Sequence, residues 1–100
     1  MAQIIWTSPA IADLDAIIDY ISVENPIAAA QLAKRIISHV ALLEDFPESG
    51  AQPIELGKQT RYRYIVETPC RVFYRFDSGQ VYILHVMRFE RLLKLGRLKR

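Results

Sequence analysis

The sequence is short of the residues on which many small proteins rely. It has one cysteine, Cys70, in 100 residues. No internal disulfide can form, which fits a reducing, cytoplasmic setting. Histidine is almost as scarce, with only His39 and His85. Two scattered histidines and one cysteine do not make a metal-ligand set, so no metal and no cofactor is expected. No apolar run approaches the ~20 residues of a membrane span. Met1 to Trp6 lacks a basic segment followed by an apolar stretch, so no signal peptide and no membrane partner is expected. Repeats, low-complexity stretches and linkers are also missing, which leaves one domain over 1–100.

What the chain does have is a core and a lopsided charge. Half of its residues are hydrophobic (51%), enough to build a buried interior. The net charge of +2 hides a split. Met1 to Gly57 carries two basic and eight acidic residues, net −6, whereas Lys58 to Arg100 carries eleven basic and three acidic, net +8. The second half could meet an anionic partner, or the two halves could neutralise each other within the fold.

Ile4-Ile5-Trp6 reads as a short strand. Ser8-Pro9 has the form of an N-cap followed by proline in the first turn. Ile11, Leu14, Ile17, Ile18 and Ile21 then follow one helix face to about Val23. Asn25-Pro26 repeats the start signal, and Leu32, Ala33, Ile36, Val40 and Leu43 extend a second stripe, which Pro47 ends. That helix would run for nearly ~20 residues, roughly 30 Å, and the short link makes the pair an antiparallel hairpin. After the turn Pro47-Glu48-Ser49-Gly50 and a loop to Gly57, the period changes to that of strands. Thr60 to Glu67 places Tyr62, Tyr64 and Val66 opposite Arg61, Arg63 and Ile65. Beyond the turn Thr68-Pro69-Cys70, Arg71 to Phe76 places Val72, Tyr74 and Phe76 opposite Arg71, Phe73 and Arg75. Asp77-Ser78-Gly79 is a hairpin signal. Val81 to Met87 is apolar on both faces, as in a central strand covered on both sides. The order is β-α-α-β-β-β, an α+β fold with a helical hairpin packed on a small, mostly antiparallel sheet. A basic tail, Phe89 to Arg100, follows as a short helix or a partly ordered segment; its Leu92, Leu93, Leu95 and Leu98 would pack on the sheet or wall a partner groove.

Each chemically notable residue has a functional and a plain reading. Arg61, Arg63, Arg71 and Arg75 alternate on adjacent strands and could share one face that grips phosphates or carboxylates; the plain reading is a solvated face with weak ion pairs. His85 is a candidate general base or a packed histidine with one hydrogen-bonded nitrogen. His39 reads as a surface residue without a partner, and Cys70 as a spectator thiol. Trp6, Tyr62, Tyr64 and Tyr74 could stack on bases, although aromatics at strand spacing are commonly packing residues. Asp13, Asp15 and Asp19 read as a solvated helix face matched to the helix dipole.

Taken in order, Trp6, Ala12-Asp13-Leu14, Ile17-Ile18-Asp19-Tyr20-Ile21, Asn25-Pro26, Ala28-Ala29, the helix end from Leu43 to Phe46, Pro47 and Gly50 form the first half of a pattern. Gly57, Thr60-Arg61-Tyr62, Arg71-Val72-Phe73-Tyr74-Arg75, Val81-Tyr82-Ile83-Leu84-His85-Val86 and Arg88 complete it. Along almost the whole chain this resembles the RelE/ParE superfamily of toxin–antitoxin toxins, and the ParE branch in particular. The resemblance implies a growth-arresting toxin of a type II system, of the kind that serves plasmid stabilisation, held in a hetero-oligomer by a cognate antitoxin. ParE-like members inhibit DNA gyrase, whereas RelE-like members cut mRNA on the ribosome. Arg71 matches the strand arginine of the nucleases, and Arg61 and Arg88 fall in family-like places. No tyrosine follows Tyr82, no histidine follows His85, and Lys58 has no second lysine beside it. The acid–base set is thus incomplete, which favours a gyrase inhibitor with no catalysis of its own. If the chain were a nuclease, Arg61, Arg71, His85 and Arg88 would carry the reaction. In either case Arg61, Arg63, Arg71, Arg75, Arg88 and Arg91 are the expected contacts to target or antitoxin. A third reading is a non-toxic member that binds its antitoxin and helps it repress their promoter.

Overall fold

A computed structural model describes residues 1–57 and 60–89. The chain runs β1 (Gln3–Trp6), α1 (Ser8–Ser22), α2 (Pro26–Ala41), a 3-10 turn (Leu42–Glu44), a second 3-10 turn (Ile54–Leu56), β2 (Tyr62–Glu67), β3 (Cys70–Asp77) and β4 (Gln80–Arg88). The strands form one sheet in the order β1-β4-β3-β2. β1 runs parallel to β4, with Ile5 opposite Tyr82, and the other two pairings are antiparallel. The α+β architecture and element order are those expected from the periodicities, and β4 is the interior strand that its double-faced apolarity requires.

The helical hairpin covers one face of the sheet. Ala29, Leu32, Ile36 and Val40 of α2 are buried, and with Leu14, Ile17, Ile18 and Ile21 of α1 they enclose Ile65, Val72, Tyr74, Val81, Ile83 and Val86. Ile11, although on the predicted stripe, is exposed, and Ala10 takes the buried place in that first turn. Asn25 caps α2 through a bond from the Ala28 N–H to its Oδ1 (3.0 Å). The N-cap of α1 is Thr7 rather than Ser8, and its hydroxyl does not cap. It donates instead to the Ile83 carbonyl at 2.6 Å, fixing the start of α1 against β4. The second helix gives way to a 3-10 turn at Leu42, ahead of Pro47.

Two irregularities shape the functional half. The β3–β4 register shifts between Phe73, opposite His85, and Tyr74, opposite Ile83, so Leu84 is the extra residue of a bulge. The bulge falls just where β1 ends, at Trp6 opposite Ile83. Beyond it the edge of β4 passes to α1. Ser78 (φ 53°) and Gly79 (φ 77°) turn β3 into β4 with positive φ at both central positions, the geometry of a tight type I′ hairpin. Among the described residues no helix is long and apolar enough to cross a membrane.

Candidate functional site

The outer face of the sheet, away from the helices, carries a second cluster. Tyr62, Phe73, Leu84 and Met87 are buried there, with Leu56, Tyr64 and Tyr82 packed against them. Arg71 and Arg75 belong to this face, because Arg71 lies opposite Val66 and Arg75 opposite Tyr62 in the register. The Arg71 guanidinium sits 5.3 Å from the Tyr64 ring centroid and 4.9 Å from that of Phe73. It donates from Nη1 to Oε1 of Glu55 (3.2 Å) and from Nη2 to Oε2 (2.7 Å), a fork-on-fork pair. With the two side chains only 14% and 21% exposed, the pair is shielded from water. Its charge-assisted bonds are therefore worth about 1.5–3 kcal/mol, more than a surface pair contributes. Arg75 lies 4.1 Å from the Tyr82 ring and donates to Asp77 (3.2 Å), a carboxylate that is half exposed.

The expectation that Arg61, Arg63, Arg71 and Arg75 share one face fails for Arg63. Register pairs Arg63 with Tyr74, whose side chain faces the helices, so Arg63 points to the opposite side from Arg71. There it donates to the carbonyls of Glu48 (3.1 Å) and Gly50 (2.9 Å) and closes the loop leaving the helical layer. Arg61 precedes β2, is exposed, and lies 5.6 Å from the Tyr62 ring. Arg88 ends β4 with its guanidinium 5.2 Å from the ring of Tyr20 on α1. Arg91 and the tail beyond Phe89 lie outside the described residues.

Asp13 departs from the acidic helix face expected of it and of Asp15 and Asp19. It is not part of a solvated acidic face: its Oδ2 accepts from His85 Nδ1 (2.8 Å) and from the Val86 N–H (3.1 Å). Asp13 thereby takes up a backbone donor on the β4 edge that β1 no longer reaches. Because a carboxylate only accepts, the bond places the His85 proton on Nδ1. His85 is buried and tied to α1 through Asp13, and it lies opposite Phe73 in the register, in the same outward row as Met87 and Arg71, while Arg71 is held by Glu55. A signal for Asp13 was present, since Ala10, Asp13 and Ile17 fall on one helical face at spacings of three and four. His39, expected to be without a partner, is half-buried and bonds through Nδ1 to Glu67 Oε2 (2.7 Å). Glu67 also meets Arg35 Nε at 3.4 Å, and Arg35 donates to the Thr68 carbonyl (3.1 Å). This trio ties α2 to the end of β2.

Tyr74 joins the helix-side core to the connecting loop. It is fully buried, and its hydroxyl accepts from the Gly50 N–H at 2.9 Å. Burial pushes its phenol above the ordinary value of 10.0, opposed in part by the Gly50 N–H and the positive charge of Arg63. Ala51 then pairs with Tyr64 across the free edge of β2 (N···O 2.9 and 2.8 Å). From there the chain passes onto the outer face and sets Glu55 over Arg71. Among the described residues no three histidine, cysteine, aspartate or glutamate side chains converge to hold a metal ion.

A helical hairpin on one face of a mixed four-stranded sheet is the fold of ParE-type toxins. The family model described as the ParE toxin of the type II toxin–antitoxin system parDE matches residues 4–93, and the chain belongs to that family. It is 36% identical over 92 residues to toxin RelE2 of Caulobacter vibrioides, a match spanning 92% of this chain and all of that one. Among solved structures, one described as the chromosomal ParDE TA system from P. aeruginosa superposes with a TM-score of 0.74 at 29% identity, covering 90% of this chain and 98% of that one.

Proposed function

We propose that this type II toxin arrests growth in the cytoplasm by binding DNA gyrase so that cleaved DNA accumulates, and that a cognate antitoxin silences it by covering the contact surface. The observation that carries the choice of gyrase over RNA cleavage is the incomplete acid–base set, with no tyrosine after Tyr82 and no histidine after His85. Cutting at a ribose 2′-hydroxyl needs a proton-transfer group within hydrogen-bond reach of the same phosphate that the arginine holds. Here the one histidine on β4 is bound through Nδ1 to Asp13, and Arg71 is held by Glu55. An inhibitor that works by occupation needs no such juxtaposition. Arg71 and Arg75, with the exposed Arg61, supply the cationic surface. The antitoxin reading is supported by family membership and by the likeness to a ParDE system.

The test is a supercoiling and DNA-cleavage assay with purified toxin and gyrase. Inhibition with trapped, cleaved DNA is expected, weakened in Arg71→Ala and Arg75→Ala. Supercoiling left untouched by a preparation that still arrests cells would remove gyrase as the target. A second reading, ribosome-dependent mRNA cleavage, is favoured by the likeness to a toxin named RelE2. It predicts cut mRNA in a translating extract, lost in Arg71→Ala and His85→Ala.

A further inference from the structure

The anion site at Arg71 is already filled from within the chain. Glu55 presents both carboxylate oxygens to the guanidinium, and the next residue, Leu56, packs on the aromatic cluster beside it. The residue before, Ile54, is 90% exposed. We propose that the turn Ile54–Leu56 is an internal pseudo-ligand. It masks Arg71 until an acidic peptide segment of a partner protein, carrying a carboxylate beside an aliphatic side chain, displaces it. This deepens the reading of the outer face as the contact surface, on which it rests, by giving that surface a closed and an open state.

Three features support displacement. The turn's own backbone bonds are local: Leu56 N–H to the Pro53 carbonyl (3.1 Å) and Gly57 N–H to that of Ile54 (3.3 Å). It can therefore lift as a unit while the Ala51–Tyr64 pairing and the sheet ladder stay intact. It leaves through Gly57 at φ 82°, a conformation that glycine adopts without strain. Finally, the occupant shows what its replacement must offer. A planar carboxylate matches the guanidinium fork, and an aliphatic neighbour regains the contact that Leu56 gives up. A nucleic-acid phosphate could satisfy the fork but has no counterpart for Leu56. Opening costs the closed pair's energy, so the masked site binds more weakly in proportion to the fraction of molecules that are open.

The experiment uses the full chain and a short fluorescein-labelled peptide of alternating leucine and glutamate. Its controls are the same peptide with glutamine for glutamate and a labelled single-stranded RNA. Glu55→Gln keeps the shape of the turn and removes its charge. It is expected to bind the acidic peptide about 10-fold more tightly than the parent, as for a site otherwise open about a tenth of the time. Arg71→Gln should abolish the gain in the Glu55→Gln background. In parallel, saturating peptide should speed amide exchange at Leu56 and Gly57 in the parent, a readout that does not depend on any variant folding. Equal affinity for parent and Glu55→Gln, an equal gain for the glutamine peptide, a gain confined to RNA, or unchanged exchange would each overturn the proposal. Loss of the gyrase reading would look different: the peptide gain would persist while supercoiling stayed untouched.

Discussion

Gly50 is where the sheet core hands the chain to the loop that carries Glu55, and replacing it tests how tightly that handover is built. A Cβ placed on Gly50 would lie 2.6 Å from the Tyr74 hydroxyl oxygen, 2.7 Å from Tyr74 Cε1 and 2.8 Å from the Tyr64 carbonyl oxygen. None of these can yield cheaply. Tyr74 has no exposed surface, and the Tyr64 carbonyl is bonded to the Ala51 N–H at 2.9 Å. Overpacking a filled core costs about 1–3 kcal/mol. Moving the loop away to relieve the clash forfeits the buried bond from Gly50 N–H to Tyr74, about 1 kcal/mol more. Gly50→Ala should therefore destabilise by roughly 2–4 kcal/mol. At about 4–8 °C per kcal/mol for a domain of this size, the melting temperature should drop by at least about 8 °C. Thermal unfolding followed by circular dichroism measures it. A variant melting within about 4 °C of the parent, which is under 1 kcal/mol, would show that the loop tolerates a side chain there and would refute the argument.

Asp13→Ala removes the acceptor for both His85 and the Val86 N–H; since Asp13 is nearly a third exposed and water recovers part of the loss, the expected cost is about 1–3 kcal/mol, read in chemical denaturation. Amide exchange should be fastest at Val86 in that variant, and protection there equal to the parent would count against Asp13 as the edge cap. The raised Tyr74 phenol gives a pH prediction: the folded state holds this proton more tightly than the unfolded chain, so its contribution is complete below about pH 10 and is lost as pH rises through the higher folded value. Stability should fall on going above pH 10.0, and Tyr74→Phe should flatten that slope while costing about 1–3 kcal/mol at neutral pH through the unsatisfied Gly50 N–H. Arg63→Ala is expected to destabilise the loop around Glu48 and Gly50 yet leave binding to the outer face unchanged, whereas Arg71→Ala should weaken that binding. A matched pair of melting and binding curves separates the two.

The elements were legible because their periods are clean. Ile17, Ile18 and Ile21, then Leu32, Ile36 and Val40, mark two helical stripes, and Tyr62 to Val66 and Val72 to Phe76 alternate as strands do. What could not be read was whatever depends on register. Strand alternation says that Arg63 and Tyr62 face opposite ways and that Arg71 and Val72 do, but not which face of β2 joins which face of β3. One residue of slip exchanges the two answers. Arg63 pairs with Tyr74 and so faces the helices, whereas Arg71 pairs with Val66 and faces outward. The partners of Asp13 and His39 were hidden for a related reason. Asp13 acts on Val86 and Glu67 on His39, contacts between residues 73 and 28 positions apart that no local pattern records.

Register also decides what the uneven charge of the two halves means. Glu48 with Arg63, Glu55 with Arg71, Asp13 with His85, and Arg35 and His39 with Glu67 all join a residue before Gly57 to one after it. Glu48–Arg63, Glu55–Arg71 and Asp13–His85 set first-half acids against second-half bases, so part of the asymmetry holds the helical layer and its loop to the sheet, and the sum of charges in the second half overstates the surface offered to a partner. The pairs differ in what releases them. Arg63 also holds two backbone carbonyls, so freeing its guanidinium means unpicking the loop at Gly50. Asp13 also holds a strand amide, so freeing it frays β4. Glu55 stands on a turn whose backbone bonds close on themselves, and lifting it leaves the ladder whole. A charge that must be available to a partner and yet hidden in the free chain is best placed at Arg71, where exposure gives up the Glu55 pair and the Leu56 packing while the sheet ladder stays whole.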